Sequence, residues 1–135
     1  MGETRQLVID GTEDHVVCER CTVADRPHTR MRGLLGRVEL PAGEGLLLRP
    51  APSVHTWFMR FPIDAVFLDG RLRVLAVSSD LRPWRLAARR GARAVLELAA
   101  GEARRRGLRE GVALRLIDMP AAADGDPRKA AGGER

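Results

Sequence analysis

Within the stretch HTWFMRFPID (55–64), a histidine, an arginine and an aspartate stand among three of the chain's five aromatic residues. A histidine held by a carboxylate can act as a general base. His55 and Asp64 are therefore the catalytic candidates, with Arg60 beside them to meet an anion and Trp57 as the wall of a pocket. No nucleophile accompanies them: G-x-S-x-G is absent, and none of the three serines, Ser53, Ser78 and Ser79, lies in a recognisable elbow. A hydrolase-like reaction is thus one reading, and a non-enzymatic site for a ligand or a protein is the preferred one.

A second constellation is H-x2-C-x2-C-x6-H, formed by His15, Cys18, Cys21 and His28, four side chains of zinc-binding type. The cysteines fall inside a β-branched run, VVCERCTVA, with no glycine knuckle. On a regular strand, positions three apart point to opposite faces. The expectation is therefore two ordinary strand cysteines, no metal and no other cofactor. A third constellation is RPWRLAARRGAR, in which Arg82, Arg85 and Arg89 surround Trp84. Such a group can stack on a base or grip an anionic partner, so nucleic-acid binding through residues 82–109 is a further alternative. The net charge of +5 comes from this region, since residues 82–115 hold ten arginines against three glutamates. No helix-turn-helix or RNP-like pattern accompanies it.

The elements that must position these groups read mostly as strands. LVIDG (7–11), VVCERCTVA (16–24), LLL (46–48), VHTWFM, IDAVFLDG, LRVLAVSS, ARAVLELAA and VALRLIDM are short apolar or alternating runs separated by turn residues. Asp25 and Pro27 open a short amphipathic helix that ends at Gly36, and GEARRRG supplies one or two helical turns. Asp69-Gly70 predicts a tight hairpin. Both faces of VHTWFM carry large apolar groups, which predicts a central strand buried on both sides. Arg60 then requires an internal carboxylate, with Asp64 and Glu97 as candidates.

The fold class is thus α+β, predominantly β: one compact, barrel-like antiparallel sheet with one or two short helices. Residues 1–119 are expected to form one domain, and PAAADGDPRKAAGGER (120–135) a disordered tail. No apolar run reaches the length of a membrane span, and the polar start MGETRQLVIDG lacks a leader's apolar stretch, so a soluble, cytoplasmic protein is expected.

Several segments together resemble a known family. ADRPHTRMRGLLGR is similar to the A-D-x-P-x-x-R-x-x-G-L-M-x-R motif of the small prokaryotic family called domain of unknown function 192, and GEGLLL to its G-E-G-M-L-F step. FMRFPIDAVFLDG resembles its W-M-K-N-T-x-I-P-L-D-x-x-F-I-D block in shortened form, and VLELAAGEARRRGLREG its closing element. The resemblance covers about residues 16–117 and implies a β-rich, barrel-like domain without an assigned activity. Its shared positions include Gly33, Arg37, Gly45, Met59, Arg60, Asp64, Phe67, Asp69, Glu97 and Gly101. Leu35 and Val112 depart from the pattern where a Met and an Asp are usual. The site expected from these readings comprises Arg37, His55, Trp57, Arg60, Asp64 and Glu97. Its occupant would be an anionic small molecule or an acidic protein segment, because guanidinium groups suit carboxylates.

Overall fold

The chain starts with an antiparallel hairpin, β1 (Glu3–Ile9) and β2 (Thr12–Ala24), turned at Asp10-Gly11. Gly11 has φ +82, the left-handed conformation that a two-residue hairpin loop demands. The structure, a computed structural model, describes residues 3–25, 37–57 and 59–119. The helix expected after Asp25 and the tail from residue 120 lie outside the described residues.

Beyond that hairpin follow β3 (Glu44–Leu48), β4 (Ser53–His55), β5 (Ile63–Leu68), β6 (Val74–Leu81), β7 (Leu86–Ala88) and β8 (Ala94–Ala99). A one-turn helix, α1 (Glu102–Arg105), and β9 (Leu114–Ile117) complete the order. Seven strands form one sheet in the order β6-β5-β8-β3-β2-β1-β9, and β4 pairs with β7 in a separate two-stranded sheet. All pairings of the large sheet are antiparallel except β2 with β3, which run parallel. The sheet curls into a half-barrel. The edges meet at one end, where Val74 N–H donates to Val112 O, Gly111 N–H to Val74 O and Leu114 N–H to Leu72 O.

The curl gives the sheet an inner and an outer face, and both are apolar. Leu7, Val17, Val23, Leu47, Val66, Leu68, Leu96 and Leu98 fill the inside. Leu46, Leu48, Ile63, Ala65, Phe67 and Val95 face outward, where Ala51, Val54, Met59 and Ala87, from the loops and the small sheet, cover them. Strands buried on both faces lose the polar alternation of a half-exposed sheet, which is why LLL, IDAVFL and AVLELA read as continuous apolar runs. Each fully buried side chain of this kind contributes roughly 1.5–3 kcal/mol. Gly45 is required on β3 by this packing. A Cβ there would lie 2.8 Å from Cys18 Sγ and 2.8 Å from a Leu98 methyl.

Two local expectations are corrected. VHTWFM is not a strand buried on both sides: β4 stops at His55, Trp57 and Arg60 are exposed, and Val54, Thr56 and Met59 are buried. The chain leaves the extended conformation because the Thr56 hydroxyl is tied to a neighbouring loop, as described below. The cysteines also depart from the regular-strand expectation. Two steps along β1, from Arg5 to Leu7, match three along β2, from Cys21 to Cys18. This β-bulge turns both thiols onto the inner face.

Candidate functional site

The small sheet stands on the outer face and carries the exposed aromatic groups. His55 is opposite Leu86 in the β4–β7 register, and residues directly opposite share a face. The His55 ring lies 4.9 Å from that of Trp57, tilted by 33°. Trp57 is 47% exposed, Trp84 57% and Leu86 66%, a concentration of apolar surface that a solvated loop does not need. Thr56 holds the group together from beneath. Wholly buried, it donates N–H to Arg85 O at 2.8 Å and receives Trp84 N–H at its carbonyl at 3.0 Å. Its hydroxyl donates to Arg82 O and accepts Arg85 N–H at 2.9 Å. Trp84 itself has φ +65, unusual for a bulky residue and held in place by these bonds.

Thr56→Val keeps the shape of the side chain but strands Arg82 O and Arg85 N–H. It is expected to cost about 1–3 kcal/mol, measured by urea unfolding, and to shift the tryptophan emission of the folded state.

Arginines rim this surface. Arg60, Arg82, Arg85 and Arg89 are all exposed. The carboxylate among them, Asp80, approaches Arg82 only at 3.9 Å. The expected internal partner of Arg60 is not found: it forms no ion pair with any described carboxylate. Because the chain turns at Thr56, position 60 reaches solvent and needs no such partner.

Asp64 and His55 are not brought together. Asp64 is 1% exposed and projects to the inner face beside α1. Its Oδ1 accepts Asp80 N–H at 2.9 Å, and its Oδ2 accepts Gly101 N–H at 3.0 Å and Ala103 N–H at 2.9 Å. These bonds fasten the end of β6 and the start of α1 to the middle of the sheet. With three amides on its oxygens and His55 in solvent, Asp64 cannot orient that imidazole. The acid–base pair required by the hydrolase-like reading is not formed.

Glu97 is the other buried carboxyl of the expected site, and its surroundings are different. It is 2% exposed on β8, opposite Leu46 of β3 and Ala65 of β5, so it projects into the outer apolar layer. Its Oε1 has no hydrogen-bond partner. Burial alone pushes its pKa from 4.5 to about 8, so the carboxyl is mostly protonated at neutral pH.

Arg37 pairs with Glu44 at 3.2 Å, a partly exposed bridge apart from the small sheet's hydrogen bonds. His15 is exposed, with Nε2 2.9 Å from Arg106 O. Cys18 and Cys21 are wholly buried, the first donating to Gly43 O at 3.6 Å. A hydrogen bond with Cys18, followed by burial, raises the Cys21 thiol well above its ordinary range, so it stays protonated. His28 lies outside the described residues, among which no cluster of three metal-ligating side chains occurs. Leu86 and Thr56 were not among the site residues expected from sequence. Thr56 offered no signal, since a buried hydroxyl is recognised only by its partners 26 and 29 residues away.

A mostly β half-barrel with an added two-stranded sheet defines the class of protein. A family profile matches residues 7–116, that of the Uncharacterized ACR family, domain of unknown function 192, and the chain belongs to that family. Among curated proteins, none matches. Two crystal structures share the fold. One, from Sinorhizobium meliloti 1021, is described as a candidate transcription regulator; it is 21% identical, with a TM-score of 0.74, and the match covers 85% of this chain and 95% of that one. The other, a protein of unknown function from Novosphingobium aromaticivorans DSM 12444, is 24% identical with a TM-score of 0.70, covering 83% of each chain. No helix among the described residues is long and apolar enough to cross a membrane.

Proposed function

We propose that the chain is a non-enzymatic binding module whose small sheet grips an acidic, partly apolar protein segment. The observation that carries this reading is the grouping of exposed Trp57, Trp84 and Leu86 with His55, rimmed by Arg60, Arg82 and Arg85. Tryptophan and arginine are the side chains most often dominant at protein interfaces, and an aromatic centre with a charged rim is the usual layout. The rigid Thr56 anchorage supports it further, because a preorganised surface loses little entropy when it binds. Duplex DNA is the competing partner, given the arginines and the description of the Sinorhizobium meliloti protein. The exposed apolar side chains favour a polypeptide, since phosphate contacts do not call for leucine.

The chain has two tryptophans, Trp57 and Trp84, both at this surface, so their emission reports occupancy directly. Titration with a peptide of alternating glutamate and leucine is expected to give a saturable change. Trp57→Ala should weaken binding about thirtyfold, the effect of losing about 2 kcal/mol at a central contact. A flat titration at low salt, or preferential binding of a short DNA duplex with a steep salt dependence, would overturn the proposal.

A further inference from the structure

The small sheet rests on the large one through the outer apolar layer. Among the described residues, no hydrogen bond runs from β4 or β7 to a strand of the large sheet. The nearest backbone tie is Ala51 N–H to Arg93 O at 2.9 Å, just before β4 and just before β8. What joins the two is one apolar cluster, in which Val54 and Met59 of the cover stand with Leu46, Ala65 and Val95 of the sheet. The bonds around Thr56 are of another kind. They link the cover to residues 82–85, which lead into β7, and so stay within the small sheet and its own loops.

Glu97 is set into that layer. Val95, two positions before it on the same face of β8, belongs to the cluster, and so do Leu46 and Ala65, opposite it on β3 and β5. No charge on the packed elements neutralises it. On β3, Glu44 shares the outward face but is tied to Arg37. Arg49, beyond the end of β3, falls on the inward side of the alternation set by Leu47. On β5, Asp64 points to the inner face and accepts three amides. Arg93 is exposed and four positions away along β8, and His55, Arg60, Arg85 and Arg89 of the cover are exposed as well. The Glu97 Oε1 is thus left without a hydrogen bond, and burial alone accounts for its raised pKa of about 8.

A protonated carboxyl tolerates such a place, whereas a carboxylate without a counter-ion is very costly to keep out of water. Parting the layer admits water at the loss of apolar contacts alone, because the ladder of the large sheet and the bonds around Thr56 both stay intact. We infer that ionisation of Glu97 opens this layer and lifts β4, with its flanking residues Ala51 and Met59, off the large sheet, a pH-sensitive latch beneath the surface that carries Trp57. The closed form keeps the proton and the open form releases it. Opening therefore grows as pH rises from 4.5 to about 8 and levels off above. The consequence for recognition rests on the reading of that surface as a binding site: its rigid form prevails at low pH and is loosened as pH rises. The opening itself does not depend on that reading.

Met59 supplies the test, since its thioether is buried in the closed layer and is oxidised by dilute hydrogen peroxide only when the layer opens. Sulfoxide formation at Met59 of the full chain is followed by mass spectrometry at several pH values, with the more exposed Met119 as the reference for reagent strength. The Met59 rate is expected to rise about tenfold per pH unit between pH 5.5 and 7.5. Glu97→Gln should remove this slope, and Glu44→Gln, on the same face of the sheet, should keep it. The slowest amide exchange along β8 gives global unfolding, which Met59 opening must exceed. The inference is overturned if the native rate does not change with pH, if Glu97→Gln keeps the slope, or if Met59 opens only as often as the whole chain unfolds. A slope with no binding of the glutamate–leucine peptide at any pH would uphold the latch and remove the binding reading.

Discussion

Replacing Glu97 by glutamine is expected to flatten the pH dependence of stability between pH 4.5 and about 8. In the folded chain the carboxyl titrates near 8, against 4.5 without burial. The group's folded pKa is raised, so its contribution is fully present below pH 4.5 and is lost as pH rises through 8. Over that window the unfolded chain releases the proton and the folded chain keeps it. The loss accumulates at about 1.4 kcal/mol per pH unit, to a total on the order of 5 kcal/mol. Glutamine removes the ionisation but still buries an unpaired amide, which costs about 1–3 kcal/mol at every pH. Glu97→Gln should therefore be weaker than the native chain by about 1–3 kcal/mol at pH 4.5 and more stable by roughly 2–4 kcal/mol at pH 8 and above. Guanidinium unfolding followed at several pH values checks this. Parallel profiles for the two proteins would show that Glu97 ionises as freely folded as unfolded.

Asp64→Ala is the second large effect, with the opposite character. Asp64 is held by bonds, and removing it leaves the amides of Asp80, Gly101 and Ala103 without acceptors in a site that is largely closed to water. An unsatisfied buried amide costs about 1–3 kcal/mol, and here three share the loss, so a destabilisation of about 3–5 kcal/mol is expected. Asp64→Asn keeps one oxygen and should lose roughly half as much. Faster hydrogen exchange at Gly101 and Ala103 would locate the damage at the start of α1. A loss below about 1 kcal/mol would mean that water replaces the carboxylate.

The contrast between these two carboxyls also shows where sequence stops being legible. Both stand in apolar runs, IDAVFL and AVLELA, and both were natural partners for Arg60. The runs themselves were readable as strands, because burial on both faces leaves an unbroken apolar string. What the carboxyls touch was not readable. The donors to Asp64 are backbone amides 16 to 39 residues away, and a backbone amide has no residue type to recognise. The same holds for Thr56, whose hydroxyl ends β4 and converts HTWFMRFPID from an apparent central strand into a turn with Trp57 and Arg60 outside.

The cysteine pair was misplaced for a related reason. Strict alternation assumes an unbroken ladder, and the bulge opposite Arg5 and Leu7 adds a residue that periodicity does not reveal. At the hairpin the turn was legible, but its mechanics were not. Asp69 shapes it by accepting two amides, and the left-handed residue is Leu72 rather than Gly70. The aromatic and arginine content of the candidate surface was visible in the sequence. Its assembly from two segments about 30 residues apart depended on the β4–β7 pairing, which joins two strands of three residues each.

The central claim is that recognition takes place on the outward small sheet, away from the buried carboxyls. Backbone chemical-shift mapping during titration with the glutamate–leucine peptide tests it most directly. The shifts are expected to concentrate at residues 53–60 and 82–88. Perturbations gathered instead around α1 and the strand ends beside Asp64, with the small sheet unmoved, would contradict it.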